Sequence, residues 1–268
     1  MNDMEQQLSE ERFAVLVDGD NAQASLIVEV LKEVAKYGKI TIRRVYGDWT
    51  TREMESWKKY LPQNALQPVQ QFRNTTGKNA TDSAMIIDAM DILYGGNVDG
   101  FAIVSSDSDY TRLAIRLREN GKMVIGLGRK QTPEPFLRAC DLFVYTENLV
   151  KQPVTRGNLK VKEKPVAERK PDNNKVVKEL ETDKLEADRE NELFLIAQAY
   201  EMVAQEDGWA RLSDLGKALH KVDPAFDLRT YGQSQLSKMI EAHSDLYELE
   251  REKKKGPSQI YIRRREVK

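Results

Sequence analysis

Two short runs constrain this chain more than any other feature. Phe13 to Val17 reads FAVLV, and Phe101 to Val104 reads FAIV. Neither alternates apolar with polar residues, so neither can line a sheet with one wetted face. Both require burial on two faces, which is the pattern of a parallel sheet covered by helices. Each run then drives into acid: Asp18-Gly19-Asp20-Asn21 after the first, Ser105-Ser106-Asp107-Ser108-Asp109 after the second. Helix-like segments lie between such runs. Ile27, Val30, Leu31, Val34 and Tyr37 share one helical face, and Gly38 suits the position just past a helix end. ITIRRVYGDW returns as a strand, REMESWKKY reads as a helix and LQPVQQF as a short strand. TDSAMIIDAMDILYGG is helical, with Thr81 as cap and Gly95-Gly96 as stop. YTRLAIRLRENG is an amphipathic helix, KMVIGLG another strand, and PEPFLRAC and DLFVYT close the series. Residues 12 to 150 therefore predict an α/β domain built on a parallel sheet.

Composition narrows the chemistry. The chain has 268 residues, 40 % of them hydrophobic and 32 % charged, with a formal net charge of −1. Any nucleic-acid surface must then be local. The single cysteine, Cys140, allows no intramolecular disulfide and no cysteine zinc site, and His220 and His243 lie far in sequence from both acidic knots. No apolar stretch approaches the roughly 20 residues of a membrane span. The first residues, MNDMEQQLSEER, are polar and acidic, the opposite of a signal peptide. A cytoplasmic, reducing location is expected. Residues 151–187 carry almost no aromatics and no sustained period, and begin basic; they predict a flexible linker that turns helical near its end. From 188 to 265 three helical segments and a terminal hairpin predict a small winged-helix domain.

In an open parallel sheet, ligands bind beyond the carboxyl ends of the strands, where strand order reverses. Asp18 and Asp107 both stand just past such an end, while Asp82 and Asp109 begin helices. Taken singly, each acid reads as a turn or cap residue. Together, in this chain order, they predict one site. Clustered carboxylates repel and raise each other's pKa, an arrangement that a hard cation makes tolerable. Such a centre suits hydrolysis of a phosphodiester. Asp20 and Asp48 read as loop acids, Asp91 and Asp99 as solvated surface.

The stretches LVDGDN, KNATDSAMIIDAM and VSSDSDYTRLAIRLRENGKMVIGLG resemble the NYN domain, a branch of the PIN-like ribonuclease superfamily. The resemblance implies a Rossmann-like fold with strand order 3-2-1-4-5 and a Mg²⁺ or Mn²⁺ site. It implies Asp18, Asp82, Asp107 and Asp109 as metal-binding and catalytic carboxylates, with Asn21 as a polar partner and Asp88 as a further acid. Asp88 lies about 240° round a helix from Asp82 and so takes a supporting role. DGDN also fits the first motif of haloacid-dehalogenase-like phosphatases, with Asp18 as nucleophile. Those enzymes need a lysine ahead of their last acids, whereas Lys78 precedes Asp82 instead.

Basic residues could guide a polyanion. Arg43 and Arg44, adjacent on one strand, must point to opposite faces. Arg73, Thr76 and Lys78 occupy the loop leading to Asp82, and Arg129 and Lys130 follow a strand at the same sheet edge. In the C-terminal part, Gly208-Trp209, Leu215-Gly216 and PAFDLRTYGQSQLSKMI resemble the OST-HTH or LOTUS domain, a winged helix whose family is associated with RNA and, in some animal members, with protein contacts. Lys253, Lys254, Lys255, Arg263, Arg264 and Arg265 form a basic wing. Arg229, Tyr231, Gln233 and Lys238 sit about the third helix, in reach of backbone or stacked bases. Trp209 and Phe226 read as core aromatics. The expectation is a metal-dependent ribonuclease, endonucleolytic in mode, with a C-terminal RNA-binding module. The alternative is a non-catalytic RNA-binding or adaptor protein. RNA is the expected partner, with no membrane; a protein partner through the C-terminal domain and a homodimer are left open.

Overall fold

A computed structural model describes residues 11–72, 80–150, 174–205, 207–251 and 259–265. The chain forms two compact units, one of residues 1–150 with Asp223–Asp227, the other of residues 151–222 and 228–268.

The first unit is a six-stranded parallel sheet. Its strands are β1 (Arg12–Asp18), β2 (Lys39–Gly47), β3 (Gln67–Gln70), β4 (Gly100–Val104), β5 (Met123–Gly128) and β6 (Leu142–Tyr145), in the order β3-β2-β1-β4-β5-β6. The order expected for five strands holds, and β6 extends it at one edge. Strand order reverses between β1 and β4, which pair in parallel from Phe13 with Gly100 to Val17 with Val104. That pairing follows from the two apolar runs: Phe13 to Val17 and Phe101 to Val104 are all buried. Alternate residues feed two separate cores. Ala14, Leu16, Phe101 and Ile103 face one, while Phe13, Val15, Val17, Ala102 and Val104 face the other. The helices α1 (Ile27–Val34), α2 (Tyr60–Gln63), α3 (Ala80–Tyr94), α4 (Thr111–Glu119) and α5 (Glu134–Ala139) connect the strands.

Local details depart from the sequence reading. REMESWKKY is not one helix but a 3₁₀ turn, Glu53–Trp57, followed by the short α2. Met54 and Trp57 are buried there, and the Trp57 indole N–H donates to the Gly19 carbonyl at 3.1 Å. That tertiary contact, beneath the loop after β1, overrides the helical propensity of the segment. Thr81 is not a cap either: α3 begins at Ala80, and the Thr81 hydroxyl donates to Asp20 at 3.0 Å. Gly38 takes no left-handed backbone. A Cβ there would come within 2.2 Å of the Glu11 carbonyl oxygen, so close approach, not helix termination, excludes a side chain.

The second unit contains α6 (Asn174–Val203), β7 (Trp209–Arg211), α7 (Leu212–Val222), α8 (Leu236–Glu241), β8 (Tyr247–Arg251) and β9 (Ile260–Arg264). The terminal hairpin gains a third strand, giving an antiparallel sheet in the order β7-β9-β8. Its buried face carries Ala210, Tyr247 and Ile262, and α6, α7 and α8 supply Ile196, Ala199, Leu215, Leu219, Met239 and Ile240 to the core. α6 starts well inside the stretch expected to be a flexible linker. Residues 174–187 are rich in Lys, Glu and Leu, which lose little rotamer freedom in a helix. Residues 151–173 of that stretch lie outside the described residues. No helix among the described residues is long and apolar enough to cross a membrane.

Candidate metal centre and nucleic-acid interface

The acids converge where β1 and β4 separate. Asp82, Asp107 and Asp109 each offer a carboxylate oxygen, and the three oxygens lie within 4.8 Å of one another. Three elements bring them there. Asp82 rides on the first turn of α3, where the helix dipole favours negative charge. Asp107 follows β4 and accepts the Asp109 backbone N–H at 2.9 Å, which fixes the 3₁₀ turn Ser108–Tyr110 ahead of α4. Its second oxygen is not used in that turn. Tyr110, fully buried, donates its hydroxyl to Asp82 Oδ1 at 2.8 Å.

Asp18, the fourth carboxylate expected from sequence, stands outside this trio but close enough for its charge to act on Asp82 and Tyr110. Its side chain is completely buried. Oδ2 accepts from Asn21 Nδ2 at 2.7 Å and from Ser105 Oγ at 2.8 Å, and Oδ1 accepts the backbone N–H groups of Asp20 and Asn21 at 3.2 and 3.3 Å. With both oxygens so engaged, Asp18 organises the loop. The Ser105 hydroxyl also accepts the Asp107 backbone N–H at 3.0 Å. One serine therefore joins the ends of β1 and β4. The same burial weighs against Asp18 as a phosphatase nucleophile, since an attacking carboxylate must be open to substrate.

Electrostatics follow from the packing. Burial pushes the Asp18 carboxyl above the usual carboxylate range, against the opposing pull of the Asn21 and Ser105 hydrogen bonds and with some help from the charges of Asp82 and Asp20. Asp82 is raised in the same way: burial is the main cause, the Tyr110 hydroxyl opposes it, and Asp107, Asp109 and Asp20 add to it. Burial, then the charges of Asp18 and Asp82, make the Tyr110 phenol much harder to ionise.

Asp20, read from sequence as a loop acid, belongs to the site. It holds Thr81 at the start of α3, and it lines an open groove with Asn21, Ser106, Asp107, Arg129 and Gln131. The Arg129 backbone N–H donates to Ser106 Oγ at 2.8 Å, so the loop after β5 is tied to the one after β4. Lys130 lies on the same loop, exposed, with its backbone N–H on Glu147 at 3.1 Å. Asp88 sits away from the carboxylate trio. It receives the Arg44 guanidinium and the Tyr46 hydroxyl, a tie between α3 and β2. Arg43 turns to the other side and donates to the Asn64 carbonyl at 3.0 Å. Asp48 is a turn residue, accepting from Thr50 Oγ1 at 2.6 Å and Gln70 Nε2 at 2.9 Å. Arg73, Thr76 and Lys78 lie outside the described residues.

The second unit alters the picture of a free basic wing. Arg263 is held by Glu248, Nε to Oε1 at 2.6 Å, and its guanidinium lies over the Trp209 ring, 4.7 Å from the centroid. Arg264 pairs with Glu201 at 3.5 Å. These two arginines of the basic wing thus carry acidic partners; the hairpin register puts Glu248 opposite Arg263. Arg265 is exposed, with its backbone N–H on the Leu246 carbonyl. Trp209 is only partly buried, contrary to its reading as a core aromatic, whereas Phe226 is buried. Arg229 and Tyr231 occupy a 3₁₀ turn, Leu228–Tyr231, ahead of α8, and Lys238 is exposed on α8. Lys253, Lys254 and Lys255 lie outside the described residues.

Comparison with known proteins bears on both units. An uncharacterized protein of Methanocaldococcus jannaschii is 28 % identical over 125 residues, a stretch covering 44 % of this chain and 48 % of that protein. The chain thus spans about half the length of the curated relative it matches. The crystal structure of a Vibrio parahaemolyticus protein of unknown function aligns with 53 % of this chain and 96 % of its own, at 18 % identity and a TM-score of 0.45. A family model of the OST-HTH/LOTUS domain matches residues 185–259. The NYN domain model matches residues 12–148, the whole span of the parallel sheet with its three clustered aspartates. On that match this chain belongs to the NYN domain family, of PIN-like nuclease type, and carries an OST-HTH/LOTUS domain behind it.

Proposed function

We propose that this protein is a metal-dependent ribonuclease, cutting RNA internally, with its C-terminal domain holding the substrate. The observation that carries this reading is the convergence of Asp82, Asp107 and Asp109 within 4.8 Å. The donor set is all oxygen, which fits Mg²⁺ or Mn²⁺ rather than a softer metal. The pKa of Asp82, raised first by burial and further by the charges of Asp107, Asp109 and Asp20, points the same way, because a divalent cation would offset that like charge. When bound, such an ion would acidify a water and neutralise charge developing on the phosphoryl oxygens.

The chain's own residues divide the remaining work. Asp82, Asp107 and Asp109 would hold the ion. Tyr110 keeps Asp82 in place through its hydroxyl. Asp18, Asn21 and Ser105 fix the two strand ends that carry the site. Arg129, on the wall of the groove beside Asp107, would bind a flanking phosphate. A cytoplasmic setting suits a protein whose one cysteine is a buried free thiol.

The test uses end-labelled single-stranded RNA, and DNA of the same sequence, with wild type and Asp107→Asn, each with and without Mg²⁺ or Mn²⁺. Wild type should produce internal cuts in RNA only with metal, and Asp107→Asn should cut at least about a hundredfold more slowly while binding RNA equally well. If both proteins bind alike and neither cuts beyond background, the protein is an RNA-holding adaptor.

A further inference from the structure

The small sheet of the OST-HTH/LOTUS domain has one face in the core and one outside. Cross-strand register arranges the outer face in two rows. Trp209, Arg263 and Glu248 stand side by side in the first, and Arg211, Tyr261 and Glu250 in the second. Residues between them, Ala210 and Ile262, point inward and are buried. A domain of this size has use for its large aromatics in the core, yet Trp209 and Tyr261 are both on the wetted side and only partly covered. They are also held in place. Glu248 holds the Arg263 guanidinium over the Trp209 ring, and the Tyr261 hydroxyl donates to Gln259 Oε1 at 2.8 Å.

We infer that this outer face is a stacking platform for unpaired nucleobases of RNA. The inference rests on the reading that the chain binds RNA, and it locates the grip on β7 and β9 rather than on α8. Three flat groups set in adjacent positions, two aromatic rings and one guanidinium, match what splayed-out bases require. Arg263 is neutralised by Glu248, so it contributes a plane more than a charge. Arg211, exposed at the end of β7, supplies the cation for a backbone phosphate. Such a surface binds through bases and has a shallow salt dependence, unlike a phosphate-gripping wing. A peptide partner would gain little from this face, because among the described residues its rows hold no aliphatic side chain to bury.

The experiment measures binding of the full-length protein to a fluorescein-labelled unstructured 12-nucleotide RNA by anisotropy, in EDTA so that no cleavage intervenes. A 12-unit abasic backbone and a 12-base-pair RNA duplex serve as comparators. Tyr261→Leu keeps apolar bulk and removes the ring, so loss of fold does not confuse the result, and far-UV circular dichroism checks it. Tyr261→Leu and Trp209→Leu should each weaken single-strand binding about tenfold. The abasic strand and the duplex should bind more weakly than the intact single strand by a similar factor. Lys238→Ala, on α8, should change binding less than twofold. The inference is overturned if the abasic strand binds as tightly as RNA, or if folded Tyr261→Leu binds like wild type. Cleavage by Asp107→Asn is scored separately, so failure of the platform leaves the nuclease reading standing, and the reverse.

Discussion

The two sheets of this protein solve the placing of function in opposite ways. In the parallel sheet the runs Phe13 to Val17 and Phe101 to Val104 are buried on both faces, so no side chain along them is available to a ligand. Everything chemical is displaced to the carboxyl ends, where Asp18, Ser105 and Asp107 begin the loops. In the antiparallel sheet one face is open, and polar and aromatic side chains lie along the strands themselves. A covered sheet concentrates function at a point, and a half-covered one spreads it over a surface. The first arrangement suits catalysis, which needs a few groups fixed closely; the second suits holding a long, irregular ligand.

The contrast can be broken most severely within a strand. Val15→Asp would bury an unpaired charge in β1, at several kcal/mol, and should abolish the cooperative thermal transition of the NYN domain. A folded, stable Val15→Asp protein would show that the two-sided burial is not real. A smaller effect is expected at the strand ends. Tyr110→Phe removes only the hydroxyl that positions Asp82, and should lower metal-dependent cleavage about ten- to a hundredfold, chiefly through weaker Mn²⁺ binding measured by titration. Unchanged Mn²⁺ affinity would mean that the phenol is structural only.

Protonation sharpens the same point. Because the folded-state pKa of Asp82 is raised, its ionisation opposes folding, so the metal-free protein should gain stability as pH falls through the raised value toward the ordinary carboxylate range, where the unfolded chain takes up the proton as well. Asp82→Asn should accordingly melt higher than wild type in EDTA at neutral pH, and saturating Mg²⁺ should reverse that ranking. The smallest effect belongs to the open sheet. Glu248→Gln loosens a half-exposed ion pair and should cost under about 1 kcal/mol in thermal unfolding.

Much of the first unit is legible in the sequence because apolar runs without alternation admit few alternatives. FAVLV and FAIV belong to a covered sheet, and once they are neighbours in it the acids after them must approach one another. What sequence cannot show is which oxygen each acid has left to offer. Nothing near Asp18 in sequence shows that Ser105, 87 positions away, donates to one of its oxygens. Thr81 looks like a cap until Asp20 is found as its acceptor. In the second unit β7 is only three residues long, too short for any periodicity to announce it. Without β7 the opposition of Trp209 to Arg263 is invisible, and the arginines read only as part of a basic wing.

The bond from Ser105 to Asp18 has a consequence for how the protein is made. A growing polypeptide exposes Asp18 early, but the serine that anchors it and the acids that follow emerge only after some ninety further residues, once β4 is laid beside β1. Until that strand is inserted the trio of carboxylates cannot meet. On the proposed function, a nascent chain carries no assembled cutting centre until β4 and the turn after it have emerged and joined the sheet.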